Sequence, residues 1–276
     1  MLFESAHLRV TAEYGVGVLW LGFAGEPVNA LDALRLAELD SALAAIERDP
    51  FLTALVVRSA KPAGFCAGLH PGVADVIDRA ALAARGQRVL ARLGALPVTT
   101  AAFVDGPCLG VGLELALACD YRLCLASPHT HLGFPDRFTC FGGSVRLRSR
   151  LGRRAAAFVE SGRTLSGREA RTLGLVDRAF CARRAKIELR TFLDELERSP
   201  RVPVRTRDET GFTAERRAFA AIARVGRNAS ALPTDPDELL ARGFITPLEA
   251  ESMRERGATA RATPDDPPAP FIRWAA

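Results

Sequence analysis

The chain has 276 residues, 48% hydrophobic and 25% charged, a balance that suits one globular domain with a full core. Its net charge of +5 comes almost wholly from Arg, with Lys only at Lys61 and Lys186 and acids interspersed throughout. That fits a phosphate-bearing small ligand, whereas a nucleic-acid protein calls for a dense basic stripe or stacking aromatics. No run reaches the length of a membrane span, and Met1 to Val10, with Glu4 and Arg9, lacks the basic-then-apolar order of a signal peptide, so a soluble, cytoplasmic protein is expected.

In chain order, Val16 to Phe23 predicts a strand, and Asp32 caps a helix whose Leu36, Leu39, Leu43 and Ile46 share one face. Leu52 to Arg58 is an almost wholly apolar strand. A run buried on both faces implies a covered sheet, and the intervening helix makes a βαβ crossover. A helix over Ala74 to Leu93, a strand over Val98 to Val104, a glycine turn, a helix over Gly112 to Cys119 and a strand over Tyr121 to Leu125 repeat the alternation, so the class is α/β. Ser144 to Gly162 and Ser166 to Leu173 read as helices, Leu175 to Phe180 as a strand and Ala182 to Arg198 as a helix. From Thr206 the pattern is charged and amphipathic, with Phe212, Phe219, Ile222 and Val225 at helical spacing. A last helix near Glu238 to Arg256 precedes a loose Pro- and Asp-rich tail from Thr263.

Six cysteines, Cys66, Cys108, Cys119, Cys124, Cys140 and Cys181, lie mostly inside apolar runs without CxxC pairs or zinc spacing. They read as reduced core thiols, and neither Cys66 nor Cys140 has a recognisable His partner for nucleophilic work. His129 and His131 lie in a Pro-bearing loop with no third ligand, so no metal is assigned. Asp120, closing its helix, is expected to order the next turn or meet an Arg.

Two stretches carry the chemistry: Phe65-Cys66-Ala67-Gly68-Leu69-His70 and Gly106-Pro107-Cys108-Leu109-Gly110-Val111-Gly112-Leu113-Glu114. Each ends a strand-like run in small residues, and the second opens into an apolar helix carrying one acid. Small residues let backbone approach a ligand, and a helix start presents unpaired N–H groups and partial positive charge. An acyl oxygen gaining negative charge fits there, and one such donor stabilises a transition state by about 2.7–4 kcal/mol. A tight strand-to-helix junction with no ligand would leave the same glycines. Glu114, in an apolar segment where an unpaired carboxylate is costly, either caps the helix start or, with Asp136, does acid–base chemistry.

Together with Asn29-Ala30-Leu31, Gly142-Gly143-Ser144-Val145-Arg146-Leu147 and Gly174-Leu175-Val176-Asp177, these stretches resemble the crotonase superfamily, the enoyl-CoA hydratase/isomerase fold, from about Leu8 to Ala223. The resemblance implies a crotonase-like spiral of ββα units with a C-terminal helical region. The core would span 1–200, a helical trimerisation or lid region 201–262 and a flexible tail 263–276. It also implies a thioester carbonyl held by the backbone N–H groups of Leu69 and Val111. The backbone near Val28, Ala30, Ala67, Gly68, Leu69 and Gly110 would cradle coenzyme A, which is part of the substrate, so that no separate cofactor is needed.

The two carboxylates of a family hydratase match Glu114 and Asp136. Between them they hold a water, one accepting its proton as hydroxide adds to C3. The activity implied first is therefore enoyl-CoA hydration. The alternatives are Δ3,Δ2-enoyl-CoA isomerisation with one main carboxylate, and a degenerate homologue that only binds acyl-CoA. Three departures from the pattern bear on this. Asp136 is a methylene shorter than the usual Glu, the loop Ala126 to Leu132 is about two residues longer, and the link from Asp136 to Gly142 is three or four shorter. His70 replaces a frequent Asp, either as a second proton carrier or as a space-filling imidazole. A homotrimer or dimer of trimers is implied, with the Phe212, Phe219 and Ile222 face covering a neighbour's site or packing on its own chain.

Overall fold

A computed structural model describes residues 1–22, 26–70, 73, 78–198 and 208–221. In chain order the strands are β1 (Phe3–Glu4), β2 (Leu8–Glu13), β3 (Val16–Leu21), β4 (Ala54–Ser59), β5 (Thr99–Val104), β6 (Cys108–Leu109), β7 (Tyr121–Leu125), β8 (His131–Gly133), β9 (Thr164–Ser166) and β10 (Arg178–Phe180). The helices are α1 (Ala33–Glu47), α2 (Arg79–Leu93), α3 (Val111–Ala118), α4 (Gly143–Leu151), α5 (Arg154–Ser161), α6 (Gly167–Leu173), α7 (Ala185–Arg198) and α8 (Glu209–Ala221).

One sheet has the order β1-β2-β3-β4-β5-β7-β10, and a smaller one the order β6-β8-β9. Pairing is antiparallel from β1 to β3 and parallel from β3 to β10. Parallel neighbours need crossovers; α1, α2 and α3 lie in those leading to β4, β5 and β7, and α4 to α6 in the one leading to β10, each returning the chain to the end of the sheet where the previous strand began.

The apolar runs of β4 and β5 are explained by which helices cover them. Leu55, Val57, Ala102 and Val104 pack with Leu36, Leu39, Leu43 and Leu90 of α1 and α2. Their alternates Ala54, Val56, Ala101 and Phe103 pack with Leu189, Phe192, Leu193 and Leu196 of α7. With a two-residue strand period, both faces are dry. Each fully buried large side chain contributes about 1.5–3 kcal/mol.

The expected α/β alternation is present, with four differences. The N-terminal hairpin β1–β2 and the small sheet were not anticipated: β1, β6, β8 and β9 have two or three residues each, and β2 is buried only at Leu8 and Val10. The helix expected over Ser144 to Gly162 is two, because Gly152 breaks it at φ +57°, a conformation other residues rarely adopt. The strand expected from Leu175 begins at Arg178, since the N–H groups of Leu175 and Val176 are taken by the Ala170 carbonyl at the end of α6. Asp78 caps α2 by accepting from Ala81 N, four residues inside the expected start. Ile222, Val225, the helix near Glu238 to Arg256 and the tail lie outside the described residues. What is described of the 201–262 region, α8, packs on this chain's own α2 and α4 with Phe212 and Phe219 buried.

Five cysteines are buried free thiols, and burial pushes those of Cys66, Cys119 and Cys124 up to about 12. Cys181 is the exception to the core reading, since it is exposed. Asp120 meets Thr100, its carboxylate accepting from Thr100 N (2.8 Å) and Oγ1 (2.9 Å), and its carbonyl accepts from Arg122 Nη2 at 2.8 Å, so it ties strand to helix end and also meets an Arg.

Arg122 on β7 is 2% exposed and is held by Asp177. Asp177 Oδ2 accepts from its N at 2.8 Å and Nη2 at 2.7 Å, and Asp177 Oδ1 accepts from Arg150 Nη2 at 2.8 Å. Burial pushes the Asp177 carboxyl up, but Arg122 and Arg150 together hold it below the ordinary value. A lowered folded pKa means its stabilisation is present above the unfolded value of about 3.9 and is lost as pH falls through the folded one. Asp177→Asn is expected to cost about 2 kcal/mol at neutral pH and to flatten that acid dependence, as read from urea unfolding at pH 7 and at pH 3.

Candidate active site

Short parallel segments bring the two glycine stretches together. Ala67 N donates to Asn29 O (2.8 Å), Leu31 N to Gly68 O (2.9 Å) and His70 N to Leu31 O (2.8 Å). On the other side Cys66 N donates to Pro107 O (3.1 Å) and Leu109 N to Cys66 O (2.9 Å). β8 continues the array, with Cys108 opposite Leu132 and Leu109 opposite Gly133. Counting three residues on from Cys66, Cys108 and Leu132 reaches Leu69, Val111 and Pro135, so Leu69, Val111 and the turn bearing Asp136 lie at the same, C-terminal end. In open parallel arrays that end is where ligands bind.

The N–H groups of Leu69 and Val111 have no hydrogen-bond partner among the described residues. For Leu69 the cause is strand alternation: its parallel bridge to Leu31 uses the flanking Gly68 and His70, and turns its own N–H to the opposite edge. For Val111 the cause is its place as the first residue of α3, where the amide has no carbonyl four residues back. Gly68 (φ +127°) and Gly110 (φ +50°) both occupy backbone that favours glycine, and a Cβ on Gly110 would lie 3.8 Å from Gly68 Cα. At Gly112 the reason is space, since a Cβ would meet Cys66 O at 2.3 Å.

Among the residues expected around coenzyme A, Ala67, Leu69 and Gly110 are half-buried, while Val28, Ala30 and Gly68 are buried and offer little surface. Asn29 was noticed only as part of a pattern. Its Nδ2 donates to Leu21 O (3.0 Å), Ser59 Oγ (2.9 Å) and Phe65 O (3.0 Å), clamping this segment to the core. His70 Nε2 lies 3.1 Å from Glu26 Oε1, which also meets Arg35 Nη2 at 3.2 Å, and Lys61 Nζ donates to Glu26 O. His70 is thus tied into a polar cluster.

Glu114 is placed differently from the expectation of a water-holding acid. It is 0% exposed. Its Oε1 accepts from Cys140 N (2.9 Å), and its Oε2 from Phe141 N (2.7 Å) and Gly143 N (2.6 Å). Three main-chain donors from the short loop after Asp136 occupy the carboxylate, and a Cβ on Gly143 would sit 2.7 Å from Glu114 Cγ. Burial, and next the nearby Glu215, hold Glu114 well above the usual carboxylate range, with the three amides pulling the other way. Neither is Glu114 a cap of its own helix, because its oxygens reach across to the 140–143 loop.

Asp136 is exposed. It sits in a β-turn closed by Arg137 N donating to Phe134 O (2.9 Å), with Pro135 favouring the bend and Arg137 at φ +60°. Neighbouring protein atoms partly desolvate its carboxyl and raise it, modestly given the exposure. No hydrogen bond or ion pair joins it to Glu114. The structure therefore brings Asp136 to the same end of the array as Leu69 and Val111, and leaves Glu114 behind it within the protein.

Glu215, Arg146 and Gln87 were missed. Glu215 on α8 accepts from Gly142 N (3.1 Å) and Ser144 Oγ (2.9 Å). Arg146 Nη1 donates to Phe141 O (2.8 Å), and Gln87 Nε2 donates to Cys140 O (3.3 Å) and Phe212 O (3.0 Å). The available signal was an acid on an apolar stripe, Glu215 between Phe212 and Phe219. Burial and then His129 lower the His131 imidazole. Among the described residues no three His, Cys, Asp or Glu side chains could hold a metal ion, and no described helix is long and apolar enough to cross a membrane.

The structure of DspI from Pseudomonas aeruginosa is similar over 95% of this chain and 92% of its own, at TM-score 0.65 and 21% identity. The enoyl-CoA hydratase of Bacillus anthracis is similar over 94% and 92%, at TM-score 0.63 and 23% identity. At such identities these likenesses concern the fold, and it is the crotonase fold. In sequence the chain is 36% identical over 163 residues to the fatty acid oxidation complex subunit alpha of Vibrio cholerae serotype O1, a match covering 55% of this chain and 23% of that protein. The chain thus spans about a quarter of the length of the curated relatives it matches. The family model for enoyl-CoA hydratase/isomerase matches residues 15–222, about three quarters of the 276 residues, and the chain therefore belongs to the enoyl-CoA hydratase/isomerase family.

Proposed function

We propose that this chain acts on an acyl-CoA thioester through single-base proton transfer, as a Δ3,Δ2-enoyl-CoA isomerase. The observation that carries the reading is the sealed carboxylate of Glu114, with both oxygens occupied by the amides of Cys140, Phe141 and Gly143. Water addition in this family uses two carboxylates around one water. Of Glu114 and Asp136, Asp136 is the one that stands exposed, at the ligand-binding end of the parallel array.

In the proposed reaction the amides of Leu69 and Val111 bind the thioester oxygen. Asp136 removes a proton from C2 of a 3-enoyl-CoA, and the electron pair of that C–H bond forms the C1–C2 double bond of a dienolate whose negative charge rests on the bound oxygen. Reprotonation at C4 by the same carboxyl then leaves the double bond between C2 and C3. The raised Asp136 carboxyl favours this cycle, since a general base works best with its pKa moved toward the operating pH. Coenzyme A belongs to the substrate, no further cofactor or metal is invoked, and a homotrimer or dimer of trimers in the cytoplasm remains the family expectation.

Purified protein incubated separately with a 3-enoyl-CoA and with crotonyl-CoA separates the readings. The expected product is the 2-enoyl-CoA from the first and little 3-hydroxyacyl-CoA from the second. Hydration of crotonyl-CoA at a rate matching isomerisation would overturn the assignment in favour of a hydratase. Tight binding without product from either would point to the degenerate homologue.

A further inference from the structure

We infer that Glu215, on the C-terminal helix α8, is a positioning residue that locks the 140–143 loop onto Glu114 and so sets the geometry of the turn carrying Asp136. The loop runs between two acids that reach it from different helices. Glu114 of α3 takes the amides of Cys140, Phe141 and Gly143, and Glu215 takes that of Gly142 at 3.1 Å. Four consecutive N–H groups thereby end on two buried carboxylates. Glu215 also accepts from Ser144 Oγ at 2.9 Å, at the start of α4. It is 6% exposed, so water is a poor competitor for these bonds.

The remaining contacts point the same way. Phe138, two residues after Asp136, stacks against Phe219 of α8 with ring centroids 5.6 Å apart. Arg146, buried beside both acids and over the Phe212 ring, donates to Phe141 O at 2.8 Å. Gln87 joins the carbonyls of Cys140 and Phe212, and Arg216 Nη1 donates to Gln87 Oε1 at 2.6 Å. Every turn of α8 that meets the loop therefore holds it, and the loop links Asp136 to α4 in only a few residues. Little slack remains to absorb a shift. Val28, Ala30, Ala67, Gly68, Leu69 and Gly110, expected at coenzyme A, have no hydrogen bond to α8 among the described residues, so the effect of Glu215 falls on the reacting end.

The catalytic arm of this inference rests on the isomerase reading, and the structural arm does not. Glu215→Ala, Glu215→Gln and wild type are compared by steady-state kinetics on a 3-enoyl-CoA and by amide hydrogen exchange. In Glu215→Ala, kcat is expected to fall about ten- to a hundredfold, since about 1 Å of misplacement costs on the order of a hundredfold, with KM within about twofold. Glu215→Gln, whose Oε1 still accepts from Gly142 N while its NH₂ donates to Ser144 Oγ, restores most of kcat. Exchange protection at Cys140 to Gly143 drops in Glu215→Ala and recovers in Glu215→Gln, while that of β4 and β5 is unchanged. Should Glu215→Ala not fold, Glu215→Asp, one methylene short of the loop, must show the same local loss.

Unchanged protection at 140–143, or a loss spread equally over β4 and β5, would overturn the clamp. Local loss with unchanged kcat would overturn the positioning role. A wild-type protein without turnover fails the isomerase reading alone, and the exchange result then decides the clamp.

Discussion

Asp136→Asn is expected to reduce isomerisation by about 10²–10⁴-fold, the usual contribution of a positioned general base, while acyl-CoA binding and melting temperature stay close to wild type. The substitution is isosteric, and the side chain is exposed on a turn held by Pro135 and by the Arg137–Phe134 hydrogen bond. Neither support involves the carboxylate, so folding is spared. Only the carboxylate is removed. The pH dependence follows from the raised carboxyl. The base form is lost as pH falls through the folded pKa, so the acid limb of kcat/KM in wild type should lie above the value of about 3.9 for an ordinary Asp. Stopped assays of product formation from pH 4 to 9, with thermal unfolding of both proteins, check the prediction. Wild-type kcat in the Asp136→Asn variant would remove Asp136 from the mechanism.

Glu114→Ala should instead be a stability mutant. It strands three buried N–H groups, those of Cys140, Phe141 and Gly143, and each orphan costs about 1–3 kcal/mol. Because the three share one loop the costs are not additive, and a loss on the order of 3–5 kcal/mol is expected. In Glu114→Gln the amide oxygen still accepts from two donors while its NH₂ faces the third, so a smaller loss of about 1–3 kcal/mol is expected. Catalysis separates the two acids. Folded Glu114→Gln should keep kcat within about tenfold of wild type, the loop moving by less than the displacement that costs a hundredfold.

The linkage of Glu114 adds a second signature. Its folded pKa is raised, so the native state binds more protons than the unfolded chain, and stability falls as pH rises from about 4.3 toward the folded value. Glu114→Gln does not titrate and should lack that slope. Chemical denaturation at pH 5 and pH 8 reads both effects. Unchanged stability together with lost activity in Glu114→Gln would return Glu114 to the reacting centre and restore hydration as the leading reaction.

What the order of residues determined is local. The apolar runs at Leu52 to Arg58 and Val98 to Val104 read as strands, the first covered on both faces, and Asp32 at the head of a 3.6-residue pattern read as a helix start. The small residues at Gly68 and Gly110 marked the two backbone turns, because their chemistry is carried by a few adjacent positions. The breaks at Gly152 and Leu175 were less legible, depending on single backbone angles and on one carbonyl of α6. Tertiary structure alone decided where the Glu114 carboxylate is held. A carboxylate in an apolar helix can hold a water or a loop, and the choice was made by amides 26 to 29 residues downstream, carried in by the short link after Asp136. Glu215 was hidden for the same reason. Its partners lie 71 and 73 residues away, and no pattern along one helix records which buried N–H groups, brought from elsewhere in the chain, need an acceptor.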